Sequence, residues 1–214
     1  GLALSGDGDT LAVGAPYEGS IATGVDGAPQ DNNDAPQSGA VYVFVRGAMG
    51  QWSQQAYVKA SNTGPGDNFG YDVALSDDGD TLAVGAILED GYSTGIDGNQ
   101  DDDSAPLAGA VYVFERNAAE QWSQQAYVKA SNTGPGDNFG DTVALGADGS
   151  TLVVGAPRED GNAGIVDGPT DEAAPNAGAA YVFVRDAMNE WSQDAYVKAA
   201  NSGPQQLFGE SLAL

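Results

Sequence analysis

Trp52, Trp122 and Trp191 stand 70 and 69 residues apart, and Phe69, Phe139 and Phe208 keep the same intervals. Residues 51–70 recur almost letter for letter as 121–140, and more loosely as 190–209. Self-similarity at a fixed period signals a repeat architecture. In it, one unit cannot bury its apolar surface alone and must stack on its siblings.

One period divides into four strand-like runs. In the middle copy these are 71–75, 81–86 (TLAVGA), 109–116 (GAVYVFER) and 121–130. Asp78-Gly79 between the first two runs is a hairpin signal. In the third run Val111 and Val113 fall on one face, and Tyr112 and Phe114 on the other. Both faces are apolar, so neighbouring sheets are expected to cover both sides. No stretch has helical apolar spacing. Four short antiparallel strands per period predict an all-β β-propeller with three four-stranded blades in this chain. The blades span 1–66, 67–136 and 137–205, and 206–214 opens a further blade. Gly14, Gly85 and Gly155 interrupt apolar strands, which marks a bulge or a close backbone approach. Complete propellers have 4–8 blades. Further repeats of the same polypeptide, or another copy, are therefore expected to close the ring.

Composition narrows the chemistry. There are 31 acidic and 7 basic residues, a formal charge of −24, with no Cys and no His. This field repels nucleic-acid phosphates and anionic membrane surfaces. No apolar run is long enough to span a bilayer, so neither nucleic-acid binding nor membrane insertion is expected. Without His or Cys, the usual nucleophile–base pairs cannot be assembled. Any bound metal should be a hard cation held by oxygen.

Phe69-Gly70 followed by Gly85-Ala86, and Phe139-Gly140 followed by Gly155-Ala156-Pro157, resemble the FG-GAP repeat of integrin α-subunit propellers. The copies are most similar to bacterial secreted proteins with such repeats. Gly14-Ala15-Pro16 and Phe208-Gly209 carry half of the motif each, and Ile87 replaces the proline of the second copy. The resemblance implies a seven-bladed parent ring acting outside the cytoplasm, at a cell surface or in the periplasm, in binding or adhesion. Integrin-type repeats often carry a calcium loop before the Gly-Ala-Pro strand. Here that place holds only short turns, 5–9, 76–80 and 146–150, too short to wrap a cation.

Chemistry, if present, is expected in the long loop between the second and third runs. Its acids recur in register: Glu18, Asp26 and Asp31; Glu89, Asp97 and Asp101, joined by Asp103; and Glu159, Asp167 and Asp171. Flexible, Gly-bearing loops rich in oxygen suit Ca2+, which takes six or more oxygen ligands. The competing reading is that Asp, Gly, Asn and Pro are ordinary loop residues, left solvated. The tryptophans are read as blade-packing residues, with a sugar-stacking platform as the alternative. Each Arg and Lys that recurs with the repeat is expected to pair with a local carboxylate.

These observations favour a non-catalytic extracellular binding or adhesion module, with calcium-stiffened loops and a protein or carbohydrate ligand. The alternative is a structural repeat subunit of a surface assembly or filament. Polysaccharide hydrolysis by paired carboxylates has less support, because the acids sit in equivalent loops and nothing breaks the repetition.

Overall fold

The computed structural model describes residues 1–161 and 172–214. Its twelve strands are β1 (Leu2–Leu4), β2 (Thr10–Ala15), β3 (Ala40–Arg46), β4 (Trp52–Val58), β5 (Phe69–Leu75), β6 (Thr81–Ala86), β7 (Ala110–Arg116), β8 (Trp122–Val128), β9 (Thr142–Leu145), β10 (Thr151–Ala156), β11 (Ala179–Arg185) and β12 (Trp191–Val197). They form three four-stranded antiparallel sheets, β1-β2-β3-β4, β5-β6-β7-β8 and β9-β10-β11-β12. No helix occurs among the described residues. The expected all-β propeller blades are present.

The acidic turns between first and second strands are closed hairpins. Asp78 Oδ1 accepts from Ser76 Oγ at 2.6 Å and from the Asp80 amide at 3.0 Å, and Gly79 takes φ 71°. The first strand of the middle blade starts two residues earlier than the apolar pattern suggests. Phe69 pairs with Ala86, but the register then slips before Val73. The cause lies in the preceding blade: Gly39 forms a parallel bridge to Phe69 and pulls the strand's start toward it. Phe208 makes the same bridge to Gly178, although 206–214 forms no named strand.

The core lies between the sheets. One apolar cluster joins Ala12, Val41, Val43 and Val58 of the first blade to Phe69, Leu82, Tyr112, Phe114 and Trp122 of the second. Another joins Val111, Val113 and Val128 of the second to Phe139, Tyr181, Phe183 and Trp191 of the third. The two faces of β7 therefore serve different neighbours, as its alternation predicts. Phe69 packs edge-on against both Tyr112 and Phe114, with ring centroids 5.4 and 6.1 Å away. Phe139 repeats this with Tyr181 and Phe183.

The tryptophans also pack between blades. Trp122 Nε1 donates to Gln55 Oε1 of the first blade at 2.9 Å, and Trp191 Nε1 donates to Gln125 Oε1 of the second at 2.6 Å. Trp122 and Trp191 are 6 and 7 % exposed, whereas Trp52 is 43 % exposed. Tyr42 and Phe44 are only partly covered, while their counterparts Tyr112 and Phe114 are fully buried. The first blade thus shows one uncovered apolar face.

The strand glycines mark where blades touch. A Cβ on Gly14 would sit 2.0 Å from the Gly70 carbonyl oxygen, one on Gly85 2.1 Å from that of Gly140, and one on Gly155 2.1 Å from that of Gly209. The Phe-Gly glycine of each repeat lies against the Gly-Ala glycine of the repeat before it. No side chain fits at a backbone approach this close. Gly85→Ala is expected to cost about 1–3 kcal/mol through overpacking. Gly47→Ala, with its nearest neighbour at 3.7 Å and an ordinary φ, should change stability by less than about 0.5 kcal/mol. Denaturant midpoints of the two variants measure the contrast.

Candidate functional site

The base of each long loop is built on a buried glutamate. In the middle blade Glu89 follows β6 in a turn, its amide donating to the Ala86 carbonyl at 3.2 Å. Its own carbonyl accepts the Gly109 amide at 2.8 Å, so one residue holds both ends of the loop. Glu89 Oε2 accepts from Lys129 Nζ at 2.8 Å and from the Gly91 amide at 3.0 Å. Oε1 accepts from Tyr127 Oη at 2.9 Å and Asn62 Nδ2 at 3.3 Å. Lys129 Nζ also donates to the Gly109 carbonyl at 2.6 Å. Asn62, on the linker from the preceding blade, accepts from Tyr112 Oη at 2.6 Å. The network therefore ties a loop, its own outer strand β8 and the neighbouring blade's exit.

The other blades repeat the arrangement. Glu159 accepts from Lys198 Nζ, Tyr196 Oη (2.8 Å), Asn132 Nδ2 (3.0 Å) and the Gly161 amide (3.0 Å). Glu18 accepts from Lys59 Nζ and the Ser20 amide, both at 2.9 Å, and Tyr57 Oη joins through Ser20 Oγ at 2.6 Å. Burial holds Lys59 and Lys129 below the ordinary lysine range, and their glutamate partners oppose this. For Glu18, burial favours the neutral acid, but the hydrogen bonds from Lys59 and Ser20, with the nearby Tyr57 hydroxyl, outweigh it and lower the pKa. Burial, with the adjacent glutamate, pushes the Tyr57 and Tyr127 hydroxyls far up, so both remain neutral phenols.

The remaining acids of the expected calcium set have other places. Asp26 and Asp97 sit at φ 50° and 52° and clip the loop to the outer strand. Asp26 Oδ1 accepts the Tyr57 amide at 2.9 Å while the Asp26 amide donates to the Tyr57 carbonyl at 2.7 Å. Asp97 does the same with Tyr127, at 2.8 Å in both bonds. Asp31, Asp101 and Asp103 lie exposed on the loops, and the Asp101 amide caps onto Asn99 Oδ1 at 3.2 Å. Partial burial and then the charges of Glu89 and Asp90 raise Asp103. Asp167 and Asp171 lie outside the described residues.

Glu89, Glu159 and Asp97 do not fit a calcium ion. The oxygens of Glu89 and Glu159 that would face it already receive an ammonium, a phenol, an amide N–H and an asparagine. Asp97 is spent on the backbone of β8. Among the described residues, no three acidic side chains are grouped as a metal site. A tethered lysine ammonium supplies the positive charge beside each glutamate. The spacing of the acids singles out the three glutamates, and the structure sets a lysine ammonium on each. The recurring lysines pair with carboxylates as expected, and the partner of each is the glutamate 41, 40 or 39 residues earlier.

The recurring arginines pair as expected. Arg46 binds Asp9 at 2.8 Å and Arg116 binds Asp80 at 2.7 Å, each within its own blade. Arg116 also reaches Gln55 and Thr10 of the first blade, and Arg185 pairs with Glu115 of the second. Arg116 and Arg185 lie over the Trp122 and Trp191 rings, 5.4 and 5.6 Å from the centroids.

Two outcomes are expected. Lys129→Met leaves Glu89 buried without its cation and should cost about 3–5 kcal/mol, while Lys129→Met with Glu89→Leu should recover most of the loss. Thermal melting should give the same midpoint in millimolar calcium and in chelator. A calcium-dependent rise would show that a cation displaces the lysine or is held elsewhere.

The FG-GAP repeat family model matches residues 52–114 and 122–183, more than half of the chain. Each match begins at a strand-four tryptophan and ends in the third strand of the next blade, so it contains one glycine from each of two successive Gly–Gly contacts and the aromatics that pack on Phe69 or Phe139. No curated protein matches the chain. The matched repeats and the three stacked sheets together place this protein in the FG-GAP repeat family.

Proposed function

We propose that this chain is a non-catalytic binding part of a β-propeller that works outside the cytoplasm, at a cell surface or in the periplasm. It engages a protein or carbohydrate partner through the face formed by its long loops. The observation that carries this reading is the pairing of rigid loop bases with exposed apolar side chains above them. Tyr17, Ile21, Tyr92 and Leu107 are exposed on these loops, among Asp31, Asp34 and Asp101. Aromatic rings beside hydrogen-bonding carboxylates suit sugars and polar protein surfaces. The net charge of −24 favours a neutral or basic partner over a nucleic acid.

A second reading is supported by Trp52. Its counterparts are buried against a glutamine of the preceding blade, while Trp52 is 43 % exposed. That face fits a further repeat, of the same polypeptide or of another copy, so a structural role in a larger assembly is compatible with the binding role.

The test is binding to a panel of immobilised neutral and basic polysaccharides and surface proteins, with chain-length analysis of the polysaccharides afterwards. Replacement of Tyr17 and Tyr92 by Ser is expected to weaken binding by about tenfold or more, about 1.4 kcal/mol. Binding that survives both replacements would remove the loop face from the proposal. Shortened polysaccharide would overturn its non-catalytic part.

A further inference from the structure

Each blade junction buries one carboxylate that the glutamate networks do not use. Asp67 and Asp137 end the linkers that follow β4 and β8, and they are only 8 and 4 % exposed. Each accepts one hydrogen bond, from the amide three residues earlier: Gly64 to Asp67 Oδ2 and Gly134 to Asp137 Oδ2, both at 2.8 Å. Their carbonyls accept from the next blade's loop, at Leu88 (3.2 Å) and Arg158 (3.4 Å). The neighbouring Asn68 and Asn138 side chains donate back to the preceding blade's loop, at Pro16 and Gln37 or at Ile87 and Leu107. The linker is thus wedged between two successive loops.

The charges facing these carboxyls are mostly of the same sign. Around Asp67 stand Glu89, Asp90 and Asp103 of the following loop, the Tyr112 and Tyr127 phenols, and Lys59. Around Asp137 stand Glu159, Asp160 and Glu172, the Tyr181 phenol, and Lys129. Both lysines are already bound to their own glutamates. Burial first, and then these acids, push both carboxyls up to about 7.

The third linker shows what the turn itself requires. Gln206 stands at the equivalent position, and its Oε1 accepts the Gly203 amide at 3.1 Å. A neutral acceptor makes the same turn, so the turn does not explain an ionisable group at both covered junctions.

We propose that Asp67 and Asp137 form a proton-dependent latch between successive blades. The protonated carboxyl seats in the acidic junction and keeps the linker against the following loop. The ionised carboxylate is repelled by that loop's acids and loosens the junction. The folded state binds these protons more tightly than the unfolded chain, in which an aspartate titrates near 3.8. The latch's contribution is therefore complete below about pH 4 and is lost as pH rises to about 7. The Glu18–Lys59 pair has the opposite dependence, because Glu18 is lowered and its contribution disappears in acid. Wild-type melting alone would mix the two effects.

The experiment compares the whole chain with its Asp67→Asn/Asp137→Asn variant. Asparagine keeps the acceptor and cannot ionise. The two melting temperatures should coincide near pH 4, and the variant should become progressively more stable than wild type up to about pH 8. In the wild-type protein, carboxyl-carbon NMR should show two aspartates titrating near neutrality. Amide exchange at Leu88 and Arg158, which donate from the following loop to the linker, should lose protection over the same range after correction for intrinsic rates. Two carboxyls titrating in the ordinary range below about pH 5 would overturn the latch even if the variant does not fold. A pH-independent difference in melting temperature, or no loss of protection at Leu88 and Arg158, would overturn it as well.

Discussion

A strand that places Val111 and Val113 on one side and Tyr112 and Phe114 on the other leaves its sheet no face for water. Such a sheet is stable only between two others, and the rest of this structure follows from that requirement. The apolar clusters cross blade boundaries, the tryptophan and arginine side chains reach one blade back, and the glycines stand where two backbones come closest. Stability therefore resides in the interfaces, as expected when units contact only their neighbours. The exposed Trp52 shows the same residue type without its interface.

The buried polar groups supply what the apolar contacts do not. A hydrophobic interface between flat sheets tolerates sliding, whereas a glutamate that accepts from Lys129, Tyr127, Gly91 and Asn62 has a single geometry. Removing one member would leave a charge without compensation in a medium of low dielectric. The networks sit where the long loops leave and re-enter the blade. The loop tips can therefore vary in sequence while their ends stay fixed.

Much of the fold was legible because its signals are local. The second run matched β6 residue for residue, and the third and fourth matched β7 and β8 apart from one to three terminal residues. Strand alternation correctly divided β7 between two neighbours. The early start of β5 was not legible, because the bridge from Gly39 to Phe69 depends on the blade before it. The candidate site was legible only in part. The recurrence of Glu18, Glu89 and Glu159 singled out residues that matter, and the structure pairs them with Lys59, Lys129 and Lys198. A glutamate and a lysine some forty residues apart carry no motif, since only the folded sheet brings them together. Asp67 and Asp137 were missed because in sequence they are ordinary turn residues, and burial by the next blade is what makes them unusual.

The matched repeat and the blade do not share boundaries. A match runs from the outermost strand of one sheet through the first three strands of the next. The matched repeat is a lap joint: it spans the seam and carries part of both sheets. If such a segment is copied in tandem, each new boundary falls inside a hydrogen-bonded sheet, where strand pairing welds it. Every added copy also brings its own glycine contact and linker. An array can then lengthen by duplication without evolving a fresh surface for the newcomer, which accounts for neighbouring copies that remain almost identical over the seam itself.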